Sequence, residues 1–169
     1  MNNLENFRNH KDLFFEQDTH SPLSDDQKKS FQGLDYFPED PGLRLIVRVD
    51  PFEEQRVVQI QTSTGEMDKY TRYGLLRFEV EGQPAQLTVY LDRKGNPFIP
   101  FQDGTSGKES YGAGRYLEPE ALGEERFLVD FNLAYNPWCA YSPFFSCPLP
   151  PEENRVSVPI RAGEKTFAG

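Results

Sequence analysis

Cysteine and histidine are scarce in this chain of 169 residues. It has two of each, and both histidines, His10 and His20, lie near the N-terminus. Two cysteines are too few for a disulfide-dense scaffold, and the seven residues between Cys139 and Cys147 match neither a zinc ribbon nor a thioredoxin-like motif. Because no histidine follows position 20, a Cys–His or Ser–His–Asp catalytic arrangement would have to recruit one from the N-terminal segment. We therefore expect no metal site and no cofactor.

Basic residues are also fewer than acidic ones, 18 against 27. The net charge is −9, and residues 1–42 alone hold nine acids and four bases, a net charge of −5. No basic stripe interrupts this pattern. Binding to nucleic acid requires clustered basic residues that neutralise phosphates, and binding to an anionic membrane surface also requires clustered positive charge. The sequence predicts neither partner.

Long apolar runs are missing as well. No segment approaches the roughly 20 apolar residues that span a bilayer. The N-terminal stretch "MNNLENFRNHKDLFFEQD" lacks the apolar core of a signal peptide. We expect a cytoplasmic protein without a membrane-spanning segment, and its oligomeric state is left open.

Aromatic residues, by contrast, are abundant. They make up 14% of the chain, and phenylalanine and tyrosine supply 22 of the 23 aromatic side chains. Large rings must therefore form much of the core. The length suits one structural domain with a hydrophobic core of its own.

The hydrophobic periodicity divides the chain near Gly42. Residues 3–17 have helical spacing, and Ser24 with Gln27 three residues later forms a capping-box signature for a second helix. We predict that residues 1–42 are a helical arm packed on a sheet and that residues 43–169 are an antiparallel β domain.

From Leu43 onward the apolar residues alternate with polar ones, and short turns separate the alternating runs. Strict alternation with short connections indicates antiparallel strands. The sequence predicts a mainly β fold of about seven or eight strands, arranged as a sandwich or a partly closed barrel. The candidate strands are "LRLIVRVD", "VVQIQT", "LRFEVEG", "AQLTVYLD", "FIPF", "YGAGRYL", "RFLVDFNLAY" and "RVSVPI".

The first polar cluster is the loop that begins at Asp103. Its fragment Gly104–Lys108 is similar to a phosphate-binding loop, but Gln102 replaces the required first glycine and Glu109 the required Ser or Thr. Nucleotide hydrolysis is therefore disfavoured. Two interpretations remain: Asp103, Thr105 and Ser106 belong to a tight turn, or the loop amides form a nest that holds an anion.

The second cluster is built on Arg115, Asp130 and Asn132. Arg115 lies among small and aromatic residues and so needs a buried partner. Asp130 and Asn132 are two apart and would share one strand face. If their strands are neighbours, Arg115 and Asp130 pair, either as a structural ion pair or as a clamp for a carboxylate or amide ligand. Tyr135 and Asn136 would lie near this clamp, and Tyr111, Tyr135 and the 103–107 loop would form the edge of the pocket.

Five prolines stiffen the segment from Pro137 to Pro151, here called the strap. It holds Cys139 and Cys147, which are interpreted as buried thiols, as a local disulfide, or as a catalytic or metal-binding pair. Its rigidity suits a cover over a core or pocket, and a docking strip for a partner is the alternative.

These segments carry a family resemblance. "DGTSGKESYGAGRYL" followed by "VDFNLAYNPWCAYSPFFSCPLPPEENRVSVPIRAGEK" resembles the domain-of-unknown-function 1684 family of bacterial and archaeal proteins, and "FQGLDYFP" and "YTRYGLLRFEVEG" fit it too. The resemblance implies no activity. The matching positions are Asp103, Thr105, Ser106, Gly107, Tyr111, Gly114, Arg115, Asp130, Asn132, Tyr135, Asn136, Pro137, Cys139, Cys147, Pro148, Asn154 and Arg155.

The leading functional hypothesis is a protein that binds a small molecule in a polar pocket. Its ligand-binding residues would be Asp103, Thr105, Ser106, Tyr111, Arg115, Asp130, Asn132, Tyr135 and Asn136. One alternative is a hydrolase with Asp130 as general base or Cys139 as nucleophile. Another is an interaction module that uses the proline-rich strap.

Overall fold

Two capped helices form the N-terminal segment of the computed structural model, which describes residues 2–167. α1 spans Asn3–Gln17 and α2 spans Asp25–Ser30. The Ser24 side chain accepts the amide of Gln27, and the Gln27 side chain accepts the amide of Ser24. This reciprocal pair satisfies two amides that the first helical turn leaves unbonded. The capping box predicted from the sequence is confirmed.

Eight strands form one antiparallel sheet that curls into a half-barrel. The order across the sheet is β6-β5-β4-β3-β1-β8-β7, and β2 pairs with β3 beside this path. The predicted mainly β fold is confirmed in its partly closed barrel form. The strands are β1 (Arg44–Pro51), β2 (Val57–Gln61), β3 (Met67–Val80), β4 (Gln83–Leu91), β5 (Pro97–Phe101), β6 (Arg115–Leu117), β7 (Glu120–Gly123) and β8 (Arg126–Asp130).

The long hairpin of β3 and β4 is the centre of the sheet. Its turn has two residues, Glu81 and Gly82, with φ angles of 52° and 79°. Positive φ at both positions is the signature of a type I′ turn, whose twist matches that of the flanking strands. The turn therefore fixes the pairing of Val80 with Gln83 and the register that follows from it.

The alternating side chains bury one face of the sheet in a single large core. Its members come from β1, β3, β4, β5, β6, β8 and the C-terminal segment. A second cluster joins the helices to the strap, since Phe15 of α1 packs edge-to-face on Tyr141 with ring centroids 5.0 Å apart. The fully buried members of the main core are Val49, Leu76, Leu87, Val89, Ile99, Phe101, Val129, Phe131, Ile160 and Ala162.

Three strand predictions were wrong in part or in whole, and of these "YGAGRYL" is a strand only from Arg115 to Leu117. β8 stops at Asp130 because the Asp130 side chain accepts the amide of Asn132 and caps a 3-10 turn, Phe131–Leu133. Asp130 and Asn132 therefore do not share the one strand face that the sequence predicted. The segment "RVSVPI" is not a strand either, because beyond Arg155 its backbone groups bond irregularly to the loop that starts at Gln102.

Asn154 fills a gap between β4 and β5. These strands pair only where Tyr90–Leu91 meets Pro97–Phe98, and then they separate. Asn154 is fully buried in the gap, where its side-chain oxygen accepts the Thr88 amide at 2.7 Å. Its side-chain nitrogen donates to the carbonyls of Thr88 and Pro100, each at 2.9 Å. The side chain thus replaces the peptide group of a missing strand.

Substitution of Asn154 by alanine tests this role. The change leaves one amide and two carbonyls buried without partners, so we expect a loss of about 3 kcal/mol in the free energy of unfolding. Urea unfolding followed by circular dichroism measures it. The control is Asn6→Ala on the exposed face of α1, expected to stay within about 0.5 kcal/mol of the wild type. Equal stabilities for both variants would contradict the role assigned to Asn154.

Candidate functional site

Arg115 is fully buried and fastens the C-terminal segment to the sheet. One terminal nitrogen donates to the carbonyls of Ala162 and Glu164, and the other donates to Ile160 at 2.9 Å. The second nitrogen also lies 3.4 Å from the carboxylate of Asp103. Both terminal nitrogens therefore have partners inside the protein, and the guanidinium acts as a clamp on this chain itself.

Gly114 brings Arg115 to this position. Its φ is 103°, and a Cβ atom there would lie 2.5 Å from the Phe101 carbonyl oxygen. Only glycine tolerates both the backbone conformation and the close approach. As a result, Arg115 pairs with Phe101 across β5 and β6 and points toward the core.

Asp103 balances the buried positive charge. Burial lowers the pKa of Arg115, and the Coulomb attraction of Asp103 opposes this effect. The Asp103 carboxylate also accepts the Ile160 amide at 2.6 Å and the Thr105 hydroxyl at 2.9 Å. These hydrogen bonds offset part of the desolvation of the Asp103 carboxylate.

Arg115 does not pair with Asp130. β6 and β8 lie on opposite sides of the β3–β4 hairpin, so the condition for that predicted pair fails. The cation nearest to Asp130 is Arg44, with nitrogen and oxygen 3.9 Å apart. Asn132 bonds the Asp40 amide through its side-chain oxygen and the Asp40 carbonyl through its nitrogen, each at 2.9 Å. It thereby ties the N-terminal segment to the end of β8.

The backbone amides of the loop from 104 to 110 donate hydrogen bonds to acceptors within the protein. The Thr105 carbonyl accepts three of them, from Lys108, Glu109 and Ser110. The Gly104 amide donates to the Val158 carbonyl, and the other loop amides also have protein acceptors. Since the row of amides is used internally, the geometry favours a tight turn over an anion nest.

A buried carboxylate, Glu164, joins the helices to the C-terminal segment. It forms an ion pair with Lys11 of α1 and accepts the Asn136 amide at 3.0 Å and the Tyr141 hydroxyl at 3.1 Å. Sequence reasoning gave no sign of it, because Glu164 is one of 27 acids and lies in no polar motif. Asn136, a predicted ligand-binding residue, serves this internal network.

The strap lies on the outer side of the sheet and pairs with the β2–β3 turn. The Leu149 amide donates to Gln61, and the Ser63 amide donates to Cys147, each at 2.8 Å. The Tyr116 hydroxyl donates to the Pro148 carbonyl at 2.5 Å. The strap therefore covers the side of β5 and β6 that faces away from the main core.

Both cysteines are free thiols in close contact. The Cys139 amide donates to the sulfur of Cys147 at 3.3 Å, and the Tyr111 hydroxyl lies 3.8 Å from the Cys139 sulfur. Burial raises the pKa of Cys147 to about 11. Within residues 2–167 no three histidine, cysteine or acidic side chains form a group that could hold a metal ion.

An aromatic groove of about 460 Å³ opens at the margin of the strap. Four rings follow one another along it: Tyr70 stacks on Phe98 at 5.4 Å, Phe98 meets Tyr116 at 4.9 Å, and Tyr116 meets Tyr135 at 5.7 Å. Two carboxylates join them. The lining residues are Tyr70, Asp92, Asn96, Pro97, Phe98, Tyr116, Glu118, Pro119, Tyr135 and Pro148.

The phenols of the groove are neutral at physiological pH. Burial raises the pKa of Tyr70 to about 12, and it also raises the pKa of Tyr116 and Tyr135. The Tyr135 hydroxyl donates to Glu118 at 2.7 Å. The groove therefore combines neutral rings with negatively charged carboxylates.

Of the nine residues predicted to bind a ligand, only Tyr135 lines this groove. Asp130 lines a second cavity of about 460 Å³ beside the start of α1, together with Phe7 and Leu133. Arg115, Asp103 and Thr105 belong to the buried clamp. Sequence reasoning missed Tyr70, Phe98, Tyr116 and Glu118. The high aromatic content was a general signal for the three rings, and no signal in the sequence pointed to Glu118.

Comparison with known proteins assigns the chain to a family. Residues 29–165 match the family described as "Protein of unknown function (DUF1684)". The chain belongs to the DUF1684 family. The DUF1684 fold is also similar to the solution NMR structure of an uncharacterized protein from Haloarcula marismortui, at 38% identity and a TM-score of 0.73 over 96% of this chain and 92% of that one. No curated protein matches.

Neither helix of the described DUF1684 chain, residues 2–167, is long and apolar enough to cross a membrane.

Replacement of Arg115 by methionine tests the clamp. The change leaves Asp103 buried without its counter-ion and the carbonyls of Ala162 and Glu164 without this donor, while the Ile160 carbonyl keeps the Ala162 amide. We therefore expect a loss of about 3–5 kcal/mol in unfolding free energy. Chemical denaturation measures it. The control is Arg77→Met, which breaks the exposed Arg77–Asp50 pair and should cost at most about 1 kcal/mol. If both variants lose the same small amount, Arg115 is not a clamp.

Alkylation of the native DUF1684 protein tests the chemical state of Cys147. Because burial raises the pKa of Cys147 to about 11, this thiol is almost entirely protonated at pH 8. We expect iodoacetamide to modify Cys147 far more slowly in the native protein than in urea, and more quickly as the pH rises. Peptide mass spectrometry reports the site. Rapid modification of Cys147 at pH 8 would mean that burial does not keep this thiol protonated and would contradict the prediction.

Proposed function

We propose that this DUF1684 protein binds a small organic molecule in the aromatic groove. The observation that carries the proposal is the convergence of four rings and two carboxylates on one concavity of about 460 Å³. Small-molecule sites are concave, rich in apolar and aromatic surface, and contain a few polar groups that set orientation. The groove has all three properties.

The elements that form the groove hold its walls in place. Tyr70, Phe98 and Tyr116 stand on β3, β5 and β6, and Tyr135 is fastened to Tyr116 by two backbone hydrogen bonds of 2.8 and 3.0 Å. Sites built on strands are held more accurately than sites on loops. A ligand would meet preformed walls, which reduces the ordering cost of binding.

The enzyme alternatives have weaker geometric support. The Asp130 carboxylate already accepts the backbone amide and the side-chain amide of Asn132, at 3.0 and 2.9 Å. Burial keeps the Cys147 thiol protonated, and His10 and His20 are remote in sequence from both cysteines. A nucleophile needs a base within hydrogen-bonding distance, and no such contact supports Cys139 among the described residues.

A protein-interaction role is the second candidate function. The observation in its favour is Phe144 at the tip of the strap, whose surface is 93% exposed. Phenylalanine, like the other aromatic residues, is enriched at the cores of protein–protein interfaces. Phe144 does not line the aromatic groove, so the two functions can be tested separately.

A fragment screen by NMR tests the binding function. We expect water-soluble fragments at millimolar concentration to shift the amide signals of Tyr70, Phe98, Tyr116 and Glu118 in isotope-labelled protein. Tyr70→Leu removes one ring of the wall and should weaken every such hit, whereas Phe144→Leu makes the same chemical change outside the groove and should not. If no fragment of any charge perturbs these signals, the proposal fails.

A further inference from the structure

We propose that the ligand of the aromatic groove is a small organic cation, a primary or quaternary ammonium compound. This inference rests on the proposed binding function and adds the chemical class of the ligand. Three independent features of the groove support it: its rings, its carboxylates and its size.

The rings provide a negative electrostatic surface without a net charge. The π-face of each aromatic ring is negative, and a cation within about 6 Å of a ring centroid is attracted to it. The protein already uses one groove ring in this way, since the Lys11 ammonium lies 5.0 Å from the centroid of Tyr135. An ammonium group in the groove would lie beside further aromatic surface, because Tyr70, Phe98 and Tyr116 also line it.

The charged side chains of the groove are all negative. Asp92 and Glu118 line it, and within residues 2–167 no lysine or arginine does. Among residues 2–167, Glu118 accepts one hydrogen bond, from the Tyr135 hydroxyl, and so keeps acceptor capacity for a ligand. The Asp92 carboxylate accepts the backbone amides of Lys94 and Asn96, each at 2.9 Å. Backbone hydrogen bonding from Asn96 holds the pKa of Asp92 below its usual range, so Asp92 contributes a negative charge to the groove rather than a free acceptor.

The alternatives fit these groups less well. An anionic ligand would face two carboxylates and a protein of net charge −9. Desolvating those carboxylates against a neutral ligand would cost free energy with no opposite charge in return. An ammonium compound satisfies both the carboxylates and the rings.

The size of the groove indicates a free small molecule. A volume of about 460 Å³ is within the range of metabolite pockets, roughly 300–1,000 Å³. Choline and tetramethylammonium are suitable probes, because both carry a quaternary ammonium group and fit this volume. The carbon isostere of choline, with a quaternary carbon in place of nitrogen, has the same shape and no charge.

NMR titration of the full chain with these three compounds tests the inference. We expect choline and tetramethylammonium to shift the groove amides, and choline to bind at least roughly tenfold more tightly than its carbon isostere. Glu118→Gln keeps an acceptor for the Tyr135 hydroxyl but removes the charge. Glu118→Gln should weaken the affinity for choline roughly threefold and leave the affinity for the isostere unchanged. Glu79→Gln, at the far end of β3, should change neither affinity.

The outcomes separate this inference from the binding function beneath it. If the isostere binds as tightly as choline, or if only neutral or anionic fragments reach the groove, the organic-cation inference is overturned while the binding function stands. If neither these probes nor any fragment shifts the groove amides, both fall. In a parallel arm with phosphatidylcholine vesicles, co-sedimentation of the wild type but not of Tyr70→Leu, without binding of free choline, would overturn the free-ligand assignment in favour of a lipid headgroup.

Discussion

The buried pair of Arg115 and Asp103 is the interaction on which the rest of the structure depends. Arg115 holds three carbonyls of the segment 160–164, and Asp103 holds the Ile160 amide of the same segment. That segment in turn places Glu164 where it can bind Lys11 of α1. One buried guanidinium therefore links the sheet to the C-terminal segment and, through it, to the helices.

The sequence predicted the regular parts of this fold and not the irregular ones. Alternation from Leu43 and the capping box at Ser24 depend on neighbouring residues, so a single chain displays them directly. Three features depend on partners distant along the chain: the clamp of Arg115, the gap filled by Asn154 and the bent segment after Arg155. Nothing near Asn154 shows that its amide bonds Thr88, 66 residues away.

The candidate site was predictable only in part for the same reason. Arg115, Asp103 and Asn132 were predicted to need polar partners. Each of them has such partners, but the partners are other residues of the same chain. The aromatic groove is assembled from β3, β5, β6 and the residue Tyr135, whose rings look like ordinary strand residues when read in sequence order. Polar residues were conspicuous in the sequence, whereas the concavity exists only after folding.

The contact between Tyr116 and Tyr135 also bears on aggregation, because it lies at an edge of the sheet. β6 is the last strand on its side of the sheet, and an unpaired edge invites another chain to add a strand. The two backbone hydrogen bonds with Tyr135 occupy that edge at its middle residue. β7, at the opposite edge, is short and followed by Glu124 and Glu125. The two end strands of the half-barrel are thus protected against edge-to-edge aggregation in different ways. Tyr135 covers the edge of β6, and negatively charged residues follow β7 at the other edge.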